Sequence, residues 1–415
     1  MIDVLWWVLT ILSFLALLAN AASLRQGARL RFQVRRAERS ALGGFLPRAA
    51  IILPLRGVDP GFEENLRAIL SQEYPAYRVI VVYDDAEDPG LVGFRPIRTA
   101  RPHVPVEEIR SDSAGLGGKV GALRTGLRAL RPEDEVVVFA DSDIRPARDW
   151  LRQLVQPLAD ITVGASTGFR WYTPPKGRFW SLVRAEWNAV SANVLFDPRL
   201  NYTWGGSTAI RAEHLPKLRL EQRWRDVLSD DLTATCAVRE AGLQIAFAPT
   251  ALVPTVEESN RSSCLEWCLR QTTMASLYQP ALRRYAAISF SVFDGSVILG
   301  LLSVVLAAFL GIAYLLPAAL FLVTLPATIA KASLRRRAFL SAAPETAALW
   351  RAVGWRSGVA ALAVPWLMIV ALVRTRRPTT ISWRGRTYDV RDPGKVRLIA
   401  TESPPGGSPG TSRDR

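Results

Sequence analysis

Three pairs of aspartates in the 415-residue chain have the spacing to do chemistry. Asp84 and Asp85 lie in VVYDDAEDPG, Asp141 and Asp143 in VVVFADSDIRP, and Asp230 and Asp231 in VLSDDLT. Aspartates two apart suit a hard divalent cation. Mg²⁺ or Mn²⁺ is usually held by one or two carboxylates and completed by phosphate oxygens. Such a cation neutralises a departing nucleotide diphosphate. Asp143 is the expected direct ligand, with Asp141 supporting the metal or holding the ribose or sugar. Asp84, with Asp85 beside it, suits recognition of the base or ribose. Asp231 is the expected general base, because a sugar acceptor needs a deprotonated hydroxyl and one carboxylate suffices. No second carboxylate is required as acid when a metal stabilises the leaving group. One base without a covalent nucleophile implies inversion at the anomeric carbon, unlike the two-carboxylate hydrolases.

Each pair also has a plainer reading. Asp-x-Asp can be a solvated strand end, DDAED an acidic turn, and SDD a helix N-cap with Ser229 or Asp230 in the capping position. The last two readings of SDD are compatible, since a cap fixes a catalytic carboxylate in place. His103 and His214 are the only histidines, and Cys236, Cys264 and Cys268 the only cysteines. That set excludes a His-based triad, a zinc set and a disulfide framework, and it points to a carboxylate base.

The elements that must carry these residues follow from apolar patterning. Ala49 to Leu55, Tyr77 to Tyr83 and Glu135 to Ala140 are short, mainly apolar runs, predicted as buried strands. Helical periodicity is predicted over Glu63 to Gln72, Gly121 to Leu130 and Trp150 to Leu158. Alternation of this kind predicts an α/β domain with a parallel sheet covered on both faces. In such sheets ligands bind beyond the carboxyl ends of the strands, which is where Asp84 and Asp141 fall.

Hydrophobic residues make up 49% of the chain, and the formal net charge is +15. Nucleic-acid binding is one meaning of such charge, but no nucleic-acid motif accompanies it. The basic residues instead flank apolar runs, as membrane topology demands. Arg25, Arg29, Arg31, Arg35 and Arg36 follow Val4 to Ala22, a run long enough to span a bilayer and read as a signal anchor. Ala286 to Phe309 and Ile312 to Ala330 are two further expected spans. Gly358 to Val373 is shorter. If it crosses fully, Arg374, Arg376 and Arg377 end on the wrong face, so it is either interfacial, re-entrant or an exception to the rule. The expected organisation is an anchor (1–24), a cytosolic catalytic domain (48–279), a C-terminal membrane region (286–374) and a cytosolic tail (375–415), disordered from about 402. That makes the protein multi-pass in the inner (plasma) membrane. The aromatic stretch from Phe169 to Trp187 is expected to continue into an interfacial helix, Phe179 to Phe196.

Several collinear segments resemble the ceramide glucosyltransferases and the related bacterial hopanoid and lipid glycosyltransferases. These are PLRGVDPGFEENLRAILSQEYPAYRVIVVYDDAEDPG, GLGGKVGAL, FADSDIRP, WGGSTAIRAEHL and LSDDLTATCAVREAGLQIAFAP, with ISWRGRTYDVR after the membrane region. The resemblance implies a GT-A fold, the doubly wound nucleotide-diphospho-sugar transferase type, and inverting hexosyl transfer. It places Asp84 in nucleotide binding, Asp141 and Asp143 around a metal-diphosphate, Lys119 near the diphosphate and Asp231 as base. It also implies a helix over the diphosphate in which Arg270 and Gln271 match. Thr273 and Met274 stand there where such proteins carry Arg-Trp, which bears on the acceptor. The implied donor is a nucleotide-diphosphate sugar of the UDP-hexose type, and the implied acceptor a membrane lipid, entering between the aromatic helix and the C-terminal spans. Two rival readings are a processive polysaccharide synthase and a non-catalytic membrane protein that binds nucleotide sugars. The missing Arg-Trp and the few spans oppose the first, and retention of DSD and SDD opposes the second.

Overall fold

Seven strands, most of them buried, pair into one sheet in the computed structural model, which describes residues 2–40, 42–112, 118–383 and 386–401. The strands are β1 (Ala49–Leu55), β2 (Tyr77–Tyr83), β3 (Val106–Arg110), β4 (Val136–Ala140), β5 (Val163–Tyr172), β6 (Ser207–Arg211) and β7 (Gln244–Thr255). Their order is β3-β2-β1-β4-β6-β5-β7. β1 and β2 match the expected strands residue for residue, and β4 begins one residue late, at Val136. The expectation of a purely parallel sheet needs one correction. β6 runs antiparallel to both β4 and β5, while β1, β2, β3 and β4 are mutually parallel and β5 pairs parallel with β7. β6 is reversed because Trp204–Gly206 re-enters the sheet from the edge where β4 ends, so the strand must run back.

The helices follow in chain order. α1 (Ile2–Arg39) precedes the sheet, and α2 (Phe62–Ile69), α3 (Pro89–Thr99), α4 (Gly118–Arg128), α5 (Trp150–Val155) and α6 (Phe179–Ser191) alternate with its strands. Two single turns, α7 (Leu215–Leu218) and α8 (Leu220–Arg223), lead to α9 (Asp230–Glu240) and α10 (Arg261–Tyr278). Then come α11 (Pro280–Leu310), α12 (Leu315–Leu322), α13 (Thr324–Ala342), α14 (Ala347–Val353) and α15 (Arg356–Arg374). Apolar clusters cover both sheet faces. Leu66, Phe94 and Trp150 lie on one, and Val120, Trp224 and Val238 on the other.

Among the described residues, four helical stretches are long and apolar enough to cross a membrane: Val4–Arg39, Pro280–Leu310, Ile312–Ala342 and Arg356–Arg374. α1 does not stop near residue 24. It continues to Arg39, and its buried Leu30 and Val34 pack with Phe169 and Phe247 of the catalytic domain. α15 packs on α6, α10, α11 and α13. Arg356 Nη2, at its start, donates to Gly177 O at 2.6 Å, and Arg283 Nη2 donates to Leu372 O, near its end, at 2.9 Å.

The aromatic helix differs from its expectation. In α6, Leu182, Val183 and Trp187 are buried between β5 and α15, and Phe179 alone among its large apolar residues is largely exposed. Its aromatic density serves packing. A second, three-stranded sheet of β8 (Thr380–Trp383), β9 (Arg386–Asp389) and β10 (Arg397–Thr401) closes the described chain. The expected disorder from about residue 402 lies outside the described residues.

Candidate active site

The carboxyl ends of β1, β2 and β4 open into a cleft of about 570 Å³, within the range of small-molecule sites. The chain reaches this edge with its acidic loops for a local reason. The last residues of each strand are apolar, so the first polar residues beyond it fall at the rim. Asp84 follows β2, and Asp141 and Asp143 follow β4. Ser142 Oγ donates to Asp59 Oδ2 at 2.7 Å, which braces the Asp-Ser-Asp loop.

Ser229 caps α9, its Oγ accepting from Leu232 N. The capping reading of SDD therefore holds, with Ser229 and not Asp230 as the cap. The same hydroxyl donates to Asp231 Oδ1 at 2.5 Å, and Leu232 N–H donates to that oxygen at 2.8 Å. Oδ1 is thereby held, leaving Oδ2 as the atom able to take a proton.

Two cations tie the loops together. Lys119 Nζ lies 2.8 Å from Asp141 Oδ1 and 3.0 Å from Asp230 Oδ2. Arg170 forks onto Asp143, with Nη1 and Nη2 each 2.7 Å from one of its oxygens, and Nη2 reaches Asp141 Oδ2 at 3.0 Å. Burial opposes the charge on Lys119, but Asp141, Asp230 and Asp231 outweigh it and hold the ammonium above its ordinary range. Burial pushes Asp230 up to about 6; Lys119 opposes that shift, and Asp231 and Asp141 add to it. Gly205 and Gly206 permit this closeness. A Cβ on Gly205 would stand 2.0 Å from Asp230 Oδ2, and one on Gly206 would stand 2.7 Å from Asp141 Oδ2.

A family model for glycosyl transferase family 21 matches residues 8–396. The chain belongs to glycosyl transferase family 21. The enzyme class expected from the sequence, glycosyl transfer, is borne out with it. A ceramide glucosyltransferase of Komagataella phaffii is 27% identical over 148 residues, 34% of this chain and 28% of that protein. The chain thus spans little more than a quarter of that relative's length in the match. Among solved structures, a mannosyltransferase from Pyrobaculum calidifontis in complex with GDP-Man and Mn²⁺ has a TM-score of 0.45 at 23% identity, covering 88% of this chain and 97% of that one. Glucosyl-3-phosphoglycerate synthase from Mycobacterium tuberculosis, in complex with phosphoglyceric acid, has a TM-score of 0.35 at 17% identity, covering 56% of this chain and 76% of that one.

In this family 21 chain the cleft brings together most of the residues expected from the sequence. Asp84, Lys119, Asp141, Asp143, Asp231, Arg270 and Gln271 all line it. Asp85 does not. It is exposed, and its carboxylate accepts from Glu87 N at 3.1 Å, so it forms the acidic turn. The Gly-rich loop before Lys119 is described only from Gly118, and residues 115–117 of that motif lie outside the described residues. Among the described residues no set of three or more His, Cys, Asp or Glu side chains gathers as metal ligands. The expected pair Asp141 and Asp143 stands on one loop after β4. That pair fits a hard divalent cation completed by diphosphate oxygens, with Arg170 now seated on both carboxylates.

Arg170, Trp204 and Tyr388 line the cleft without having been foreseen. Arg170 had a signal: it is the one charge in the otherwise buried run VGASTGFRWY. It lies 5.0 Å above the Trp204 ring. The cleft is also lined by Trp187, Trp267 and Leu282, the last in the first turn of α11. α6 and α15 pack directly together, so of the C-terminal helices it is α11, through Leu282, that meets the cleft beside Trp187 of the aromatic helix.

Proposed function

We propose that this family 21 chain is an inverting hexosyltransferase. It moves a hexose from a nucleotide-diphosphate sugar, of the UDP-hexose type, to a hydroxyl of a membrane lipid such as a ceramide, hopanoid or glycerolipid. The carrying observation is the convergence of the Asp141–Asp143 loop and the Ser229–Asp231 cap on one cleft, with Lys119 between them. A leaving-group site and a base site are thereby within one ligand's reach. The K. phaffii relative, by its name a ceramide glucosyltransferase, agrees with a lipid acceptor.

Asp84 holds the nucleotide, and Lys119, Arg270 and Gln271 line the diphosphate. Asp141 and Asp143 hold a divalent cation, Mg²⁺ or Mn²⁺. When bound, that cation supplies charge neutralisation for the departing diphosphate. Asp231 Oδ2 takes the proton of the acceptor hydroxyl while Oδ1 stays fixed by Ser229 and Leu232. The hydroxyl oxygen attacks the anomeric carbon from the face opposite the diphosphate, and the carbon–oxygen bond to the diphosphate breaks. A single displacement inverts the centre. The lipid enters from the end of the cleft lined by Trp267 and Leu282, where α11 begins. The arginines after α1's apolar run, with Arg283 and Arg284 in the first turns of α11, favour the cytoplasmic face of the plasma membrane for the catalytic domain.

Asp231→Asn tests this reading. Purified protein is given UDP- and GDP-hexoses with extracted membrane lipid, and glycolipid is followed by mass spectrometry. Transfer should fall by roughly a hundredfold or more, the usual weight of a general base, with nucleotide-sugar binding kept. Turnover at the wild-type rate would remove Asp231 as base.

A further inference from the structure

The segment ISWRGRTYDVR has no role in the reading above. In the structure it supplies β8 and β9, and this small sheet sits on the cleft. Ile381, Tyr388, Val390 and Val396 cluster with Leu228 and with Met274 of α10. Tyr278 donates its hydroxyl to Pro393 O at 3.0 Å, and Val396 N–H donates to Asp226 O at 2.9 Å. Asp226 and Leu228 belong to the loop that leads into Ser229–Asp231. The sheet is therefore docked on the loop that carries the proposed base, and Tyr388 lines the cleft with Asp84 and Gly118.

Arg386 is the unusual residue of this sheet. Its side chain is only 18% exposed, and Nη2 lies 3.6 Å from Asp84 Oδ2. Nε and Nη1 are buried and have no hydrogen-bond partner among the described residues. Buried donors left unmade are costly, and a guanidinium fork matches a phosphate better than any other side chain does. Nη1 also approaches the first turn of α4. A Cβ on Gly118 would stand 3.4 Å from it, and the next residue is Lys119. A phosphate brought to this point would meet the unpaired Arg386 donors and Lys119 together. The neighbouring α10 supplies no charge on the turn after Arg270 and Gln271, because Thr273 is buried and Met274 docks the small sheet.

We propose that Arg386 binds the diphosphate of the donor, and that the C-terminal sheet is the part of the donor site that delivers it. This rests on the proposed nucleotide-sugar reading and adds a residue from beyond the last apolar helix to it.

The test uses full-length protein in detergent, with UDP and GDP as calorimetric probes. Wild type should bind one of the two. Arg386→Ala should weaken that binding about tenfold or more, the scale of a charge-assisted hydrogen bond. Arg386→Lys should recover only part of the loss, since it keeps the charge without the fork. Ile381→Asp leaves Arg386 intact and detaches the sheet, so it should reproduce the loss while the melting temperature of the remaining protein is kept. If wild type binds neither nucleotide, the donor reading itself falls and this assignment with it. If wild type binds, and Arg386→Ala or Ile381→Asp binds equally well, the assignment of Arg386 falls alone.

Discussion

Arg170 holds the position that a metal would contest. Its guanidinium lies on both Asp141 and Asp143. Burial opposes its charge, but Asp143 in particular keeps it protonated well above the usual arginine range. Without it, two carboxylates on one tight loop would repel each other in a partly desolvated cleft. A divalent cation must therefore compete with Arg170, and competition of this kind is a coupling of about one to three kcal/mol. Arg170→Ala should tighten Mn²⁺ binding in the absence of nucleotide by about tenfold, read by electron paramagnetic resonance titration. Unchanged Mn²⁺ affinity would show that the arginine does not compete. At this scale the acidic half of the site was legible, because each carboxylate sits directly after a buried strand or at a helix cap. The basic half was less so. Arg170 comes from β5 and Arg386 from beyond the membrane region, and only tertiary packing brings them to Asp143 and Asp84.

α15 has the composition of a span, yet its contacts do not fit one. Its first residue, Arg356, bonds Gly177 before α6, and Leu372 near its end bonds Arg283 at the start of α11. A helix of nineteen residues is about 28 Å long, so a crossing would put those ends on opposite faces of a bilayer. Both ends are tied to the catalytic domain's side, and the sheet that follows docks on Leu228. These ties predict that α15 lies along the membrane face, where the exposed Trp355 and Trp366 would serve as interfacial anchors. That placement would remove the conflict over Arg374, Arg376 and Arg377, keeping them on the face that positive charge prefers. Single cysteines at Trp355 and Arg377, in a Cys236→Ser background, should both react with an impermeant maleimide in inverted vesicles and neither in right-side-out cells. Labelling from opposite faces would make α15 a span. Among the elements, β1, β2 and β4 were readable because they are apolar runs broken only by Arg78 near the start of β2. β5 and β7 were not, since Ser166, Thr167 and Arg170 interrupt one and two prolines interrupt the other. α3 hid behind Pro89 and Pro96.

The molecule as a whole is a sheet domain fused to its membrane helices, and the join is buried. Arg335 of α13 meets Glu186 of α6 at 3.3 Å, with side-chain exposures of 5% and 4%. Around them Trp171 stacks on Trp350 at 5.3 Å, and Phe339 stacks on Phe169 at 5.7 Å. Glu186 neighbours Trp187, which lines the cleft, so the membrane helix braces the wall of the proposed acceptor end. Burial pushes the Glu186 carboxyl up, and Arg335 opposes that shift. The pair is imperfect, because Arg335 Nε finds no hydrogen-bond partner among the described residues. Breaking such a pair from one side strands a charge and costs about 3–5 kcal/mol, whereas replacing both partners with apolar residues is often neutral. Glu186→Ala should therefore lower the melting temperature in detergent sharply. Glu186→Leu combined with Arg335→Met should restore most of it. If the single variant melts like wild type, the buried pair does not hold the two halves together. If the double variant melts as low as the single one, the ion pair contributes stability that packing cannot replace.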